Sequence, residues 1–168
     1  KGKSAALKAV VLDDSLPQAH AELAAVVLFY ERDWTTVERE LQRALNLDPN
    51  ASITHDLQSL YLAAMGRLDE AVAAAKRAQS LDPLSVLCTR NVGWAYFNLR
   101  DYEQTIDYCR KTLDLDPNFD WAHSLKGWAL IQQGRYDEVL REYANISNVD
   151  ERNPGMLPPL VHAYAVLG

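Results

Sequence analysis

Leu47-Asp48-Pro49, Leu81-Asp82-Pro83 and Leu115-Asp116-Pro117 are three evenly spaced copies of one tripeptide. A fixed period of that length is the mark of stacked supersecondary units, in which each unit buries its apolar face on its neighbours. The proline ends whatever helix precedes it, because it offers no N–H to continue the ladder. The aspartate before it is pushed out of the helical region.

Working outward from the prolines, we number each repeat so that the proline is position 32. Repeat one then runs over 18–51, repeat two over 52–85, repeat three over 86–119 and repeat four over 120–153. Positions 4, 7, 8 and 11 form one apolar stripe, and 20, 24 and 27 form a second, as two helices with buried faces require. In repeat three these slots include Val92, Gly93, Tyr96, Thr105, Cys109 and Thr112. In repeat four they include Gly127, Leu130, Val139, Tyr143 and Ile146. The spacing predicts helices over 4–12, 18–31, 34–46, 52–65, 68–80, 86–99, 102–114, 120–133, 136–147 and 157–167. Asn50, Ser85 and Asn118 are expected to cap the helices after the prolines. Position 15 is Gly66 and Gly134 in two repeats but Arg32 and Arg100 in the others, which predicts a differently built turn at the arginines.

These slots resemble the tetratricopeptide (TPR) family, whose 34-residue pattern of small and large residues recurs four times over nearly the whole chain. The resemblance implies an all-α fold: a right-handed superhelical solenoid of antiparallel helix pairs, here one array over 1–168. Residues 1–17 read as the second helix of a partial repeat. Leu12-Asp13 there matches Leu47-Asp48 with one extra residue. Residues 154–168 read as the first helix of another partial repeat, so the chain is expected to be part of a longer one. The phrasing around Asp33-Trp34, Arg43-Ala44-Leu45-Asn46 and Ser80-Leu81-Asp82-Pro83-Leu84-Ser85 is similar to TPR segments of large bacterial signalling and regulatory proteins.

Catalysis finds no support. His20, His55, His123 and His162 are scattered, and no zinc-protease, nucleophile-elbow or phosphate-loop spacing occurs. Cys88 and Cys109 have no metal or redox spacing and read as unpaired thiols filling space. The expectation is therefore a non-enzymatic chain with no cofactor and no metal. With 23 acidic against 17 basic residues, the net charge of −6 repels nucleic-acid phosphates. No stretch is long and apolar enough to span a bilayer, so no membrane contact is expected of these residues. Two free thiols favour a reducing compartment, the cytoplasm. The extracytoplasmic side of a membrane-anchored regulator is the alternative.

What remains is binding. The resemblance implies that first helices line a concave groove through positions 2, 5, 9, 12 and 13, which share one helix face. The groove residues expected to meet a partner are Phe29, Tyr30 and Leu60; then Arg90, Trp94, Phe97 and Asn98; then Trp121, Ser124, Trp128, Ile131 and Gln132. Trp94 and Trp128, at position 9 of adjacent repeats, are expected to be neighbours. Position 9 is apolar throughout, unlike the Lys and Asn of carboxylate-clamp TPRs, so the expected partner is an apolar protein segment, extended or helical. Packing of the same aromatic rings between repeats is the competing reading. Self-association is the alternative function, through Leu160, Ala163, Tyr164 and Leu167 on the last helix, with Leu7, Val10 and Val11 on the first.

Overall fold

The computed structural model describes residues 2–144, 146 and 157–168. The end of repeat four and the start of the last partial repeat, 147–156, lie outside the described residues. Those described form helices α1 (Gly2–Leu12), α2 (Pro17–Val26), α3 (Trp34–Leu47), α4 (Ser52–Ala64), α5 (Leu68–Leu81), α6 (Val86–Asn98), α7 (Tyr102–Leu115), α8 (Asp120–Gln132), α9 (Tyr136–Ala144) and α10 (Pro158–Leu167). They gather into two compact units, Lys1–Pro83 and Leu84–Gly168.

The Leu-Asp-Pro tripeptide works as one device in every copy. Leucine closes the second helix, and the aspartate turns extended: φ/ψ is −137°/94° at Asp48, −136°/81° at Asp82 and −143°/97° at Asp116. Each aspartate N–H still donates into the helix, to Ala44, Ala78 or Thr112. The carboxylates of Asp48 and Asp116 accept the N–H of Asn50 and Asn118, both at 3.0 Å. That is an Asx turn. It corrects the expected caps. Ser85 does cap α6, accepting from the Cys88 N–H at 3.2 Å. The cap positions of α4 and α8 are instead Ala51 and Phe119, whose side chains make no capping bond.

The corner between first and second helix is a second correction. Arg32 (φ 57°) and Arg100 (φ 63°) adopt the same left-handed backbone as Gly66 (φ 74°) and Gly134 (φ 72°). At Arg100 the turn is not rebuilt: its N–H donates three residues back, as at Gly66 and Gly134, and the residue is strained into it at roughly 1 kcal/mol. The next residue compensates. Asp33 and Asp101 follow the arginines, and each carboxylate caps the second helix, through the N–H of Thr36 and of Gln104. Arg67 and Arg135 follow the glycines and fork onto Glu70 and Glu138 instead.

The first helix of repeat one ends in a single π-turn over Val27–Glu31, with the Arg32 N–H donating to the Val27 carbonyl, five residues back, at 2.8 Å. One turn of this kind holds one residue more than an α-turn. It takes up the extra residue seen between Leu12-Asp13 and Leu47-Asp48. The histidines confirm the shift. His123 Nδ1 meets Glu142 at 2.8 Å, and His20 Nδ1 meets Glu40 at 2.7 Å. Glu40 and Glu142 share position 23, but His20 stands one residue earlier in its repeat than His123.

Small residues set the helix spacing. A Cβ added at Gly93 would lie 3.3 Å from Tyr108 Cβ, and one at Gly127 only 2.7 Å from Pro159 Cβ. Cys88 and Cys109 are buried thiols outside any disulfide. Burial pushes the Cys109 thiol up to about 12, so it stays protonated and inert.

Candidate functional site

In the second unit the first helices α6 and α8 bring three aromatic rings into contact. Trp94 stacks on Phe97, one turn on, with centroids 5.8 Å apart and planes at 9°. Its edge meets Trp121 of α8 at 5.6 Å and 64°. The Arg90 guanidinium lies 4.8 Å from the centre of the Trp121 ring. Phe97 turns its other side to Tyr102 of α7 at 5.8 Å. Arg90, Trp94, Phe97 and Trp121 are all half-buried, so each ring packs on its neighbours and still shows surface to solvent. Asn98 donates its side-chain amide to the Trp94 carbonyl at 2.7 Å, which fixes that side chain to its own helix.

Trp94 thus meets position 2 of the next repeat rather than position 9. Trp128, also half-buried, meets His162 of α10 with centroids 6.3 Å apart, and His162 also faces Tyr136 at 6.3 Å. His162 is a site residue that the sequence reading missed. The available signal was register, since it takes position 9 of the last partial repeat, the slot of Trp128 one repeat on.

The remaining expected groove residues divide. Ile131, 7% exposed, belongs to the core of the second unit with Leu130, Val139 and Tyr143. Position 12 there sits at the inner boundary of the helix face. Ser124 is half-buried and hydrogen-bonds the buried Tyr143. Gln132 is exposed. In the first unit, Phe29 and Tyr30 lie on the π-turn and are 60% and 83% exposed. Leu60 is half-buried against that unit's core. On α10, Ala163 is fully buried and Leu160 packs on the same core, whereas Tyr164 and Leu167 face outward.

Charged groups of the second unit gather into ion pairs. Glu142 lies between His123 and Lys126. Beside them Arg110, Arg141 and Glu138 edge an open cavity of about 230 Å³. Charges of both signs meet there. Among the described residues, no group of three His, Cys, Asp or Glu side chains could hold a metal ion. No helix among them is long and apolar enough to cross a membrane.

The periodic sequence, the helix pairs and the residue spacing point one way, and family models agree. A tetratricopeptide-repeat model matches residues 90–119 and another matches 56–83. The chain carries tetratricopeptide repeats. This TPR chain is 31% identical over 83 residues to the small glutamine-rich tetratricopeptide repeat-containing protein 2 of Mycosarcoma maydis, a match that covers 49% of the chain and 24% of that relative. It is 24% identical over 151 residues to Protein bimA of Emericella nidulans, covering 86% of the chain and 19% of that protein. It therefore spans a quarter or less of the length of these curated relatives. Among solved structures, Pseudomonas aeruginosa pilF superposes with a TM-score of 0.76 at 22% identity, over 96% of this chain and 73% of that one. A thermophilic TPR protein of Thermus thermophilus superposes at 0.78 and 19% identity, over 98% and 88%. The TPR fold is that of a protein–protein interaction scaffold, and such repeats are generally non-enzymatic.

Proposed function

We propose that the α6–α8 face, built on Trp94, Phe97, Trp121 and Trp128, binds an apolar segment of a partner polypeptide. The observation that supports this reading is the half-exposure of stacked rings on consecutive first helices. Aromatic side chains offer large contact area at little entropic cost, and clustered aromatics recur at the energetic centres of interfaces. Arg90 on Trp121 adds a planar cation at one edge of the patch. In this reading 1–168 is one array of four repeats flanked by partial ones, and it serves as the cytoplasmic interaction region of a larger bacterial regulator. The sequence phrasing supports that setting.

The experiment is selection of short displayed peptides on the purified chain, followed by calorimetry with the selected peptide and indole fluorescence. Trp94→Ala combined with Trp128→Ala should keep the helical circular dichroism and weaken binding at least about tenfold, the loss expected when central aromatic anchors are truncated. Selected peptides that bind the double variant as tightly as the parent chain would remove the proposal.

A further inference from the structure

The cavity between α7, α8 and α9 lies where repeat four departs from the packing pattern. Position 7 belongs to the apolar stripe of the first helix, and in repeat three it is the fully buried Val92. In repeat four it is Lys126. Position 23 is the buried Ala74 in repeat two and the buried Tyr108 in repeat three, but Glu142 in repeat four. Lys126 and Glu142 pair with each other, and their side chains are only 15% and 14% exposed. An ion pair this far out of water does little more than offset its own desolvation, whereas apolar side chains in the same slots pack without that cost. Departures from a local packing rule gather where a fold serves a ligand.

The cavity has a surplus of donors. Arg110 of α7, Lys126 of α8 and Arg141 of α9 line it, against the carboxylates of Glu138 and Glu142. Both carboxylates are engaged. Glu142 meets His123 with one oxygen and accepts from Lys126 with the other. Glu138 takes the Arg135 fork on its two oxygens, at 2.6 and 2.8 Å. That fork chiefly holds the Glu138 carboxyl below the ordinary 4.5, against desolvation; the fields of Arg141 and Arg110 add to it, which sets both guanidiniums close by. A guanidinium carries five N–H groups and an ammonium three, with no acceptor among them. Three cations from three helices thus surround a space of about 230 Å³ in which each carboxylate oxygen already has a hydrogen bond. The local excess is positive, in a chain of net charge −6.

We propose that this cavity binds a phosphate group, free or as the monoester of a small molecule, with Lys126 at its base and the exposed Arg110 and Arg141 closing over it. A tetrahedral dianion has oxygens enough to accept from all three, and a guanidinium fork matches a pair of them. A planar carboxylate has two oxygens and one charge, and it satisfies fewer of these donors. Lys126 stands two residues before Trp128, so the two project from opposite sides of α8. The phosphate site is therefore separate from the aromatic face and does not depend on what that face binds.

The test is calorimetry of the purified chain with inorganic phosphate and with glycerol 3-phosphate, at matched ionic strength against chloride. At least one should bind saturably and raise the thermal midpoint as its concentration rises; the tighter of the two tells whether the group is taken free or as an ester. Acetate should bind at least about tenfold more weakly, since it makes fewer charged hydrogen bonds. Arg110→Gln with Arg141→Gln alters only exposed positions, so the helical circular dichroism should persist. Phosphate affinity should fall at least about tenfold, the worth of one charged hydrogen bond. Lys8→Gln with Arg77→Gln removes the same charge from exposed positions of the first unit and should change affinity by less than about twofold, because distant surface charges are screened. Four results would overturn the proposal: no saturable binding of either phosphate, an arginine variant that binds like the parent, an equal loss in the two double variants, or acetate that binds as tightly as phosphate. The acetate comparison needs no substitution and stands if a variant misfolds.

Discussion

His123 and Glu142 join α8 to α9 at 2.8 Å, and the other ring nitrogen of His123 faces the Pro117 carbonyl at 3.2 Å. Both nitrogens therefore meet acceptors, an arrangement that suits the imidazolium. The bond to Glu142 holds the His123 pKa above the ordinary 6.5, against burial, with help from the Pro117 carbonyl. Burial pushes Glu142 up, but hydrogen bonds from His123 and Lys126 outweigh it and hold the carboxyl below 4.5. A raised histidine stabilises the fold fully below its unfolded pKa and loses that stabilisation as pH rises through the folded one. A depressed carboxylate does the reverse, losing its stabilisation as pH falls through its folded pKa. The second unit should be most stable between these limits and should melt at lower temperature as pH rises above 6.5. In His123→Gln the alkaline decline should flatten. An unchanged slope in thermal melts across that range would show the pair to be inert.

The left-handed arginines give a prediction of opposite sign from most substitutions. Arg100→Gly removes a Cβ from a backbone at φ 63° while leaving the Asp101 cap in place. It should stabilise the chain by roughly 1 kcal/mol in urea unfolding, less the entropy glycine adds to the unfolded state. Asp101→Ala should cost about 1 kcal/mol, the usual loss of a helix cap.

Gly127 should be the least replaceable glycine. Alanine there sets a methyl 2.7 Å from Pro159, so α10 must shift. Overpacking of this kind costs roughly 1–3 kcal/mol. Gly93→Ala, with its nearest neighbour at 3.3 Å, should cost less. Urea midpoints for the two variants check the order.

The π-turn predicts a harmless deletion. Removing Phe29 returns Val27–Glu31 to an α-turn without altering the register of His20 against Glu40 or of Val37 and Leu41 beneath them. Melting temperature should hold or rise. Removing Ala63, its counterpart in α4, has no spare residue to absorb it and should destabilise strongly by throwing one side of the deletion off its packing face. Thermal melts of both deletions decide.

The helices and their buried stripes were legible because the repeat period and the helical period coincide at the same slots, as at Val92, Tyr96 and Cys109. The π-turn was visible only as an extra residue, since Val27-Leu28-Phe29-Tyr30 has no side chain that prefers one helical turn over another. The His20–Glu40 and His123–Glu142 pairs were hidden because the partners lie on different helices. Asn50 and Asn118 misled as caps because each stands one residue before the cap position, which Ala51 and Phe119 occupy. The candidate face was legible in outline. Trp94 and Trp121 followed from the groove positions that the TPR resemblance implies, whereas Ile131 shows that a five-position face reaches too far around the cylinder, and His162 needed the repeat carried one unit further.

The corner pairs impose a rule on anyone recombining these units. Arg32-Asp33 recurs as Arg100-Asp101, and Gly66-Arg67 recurs as Gly134-Arg135, so the two chemistries alternate along the chain. A chimera spliced between the two residues of a corner would join arginine to arginine, inheriting the strained backbone without its cap, or glycine to aspartate, gaining both reliefs at once. Where grafts are cut thus decides whether the hybrid loses or gains rigidity, even when every core residue is kept.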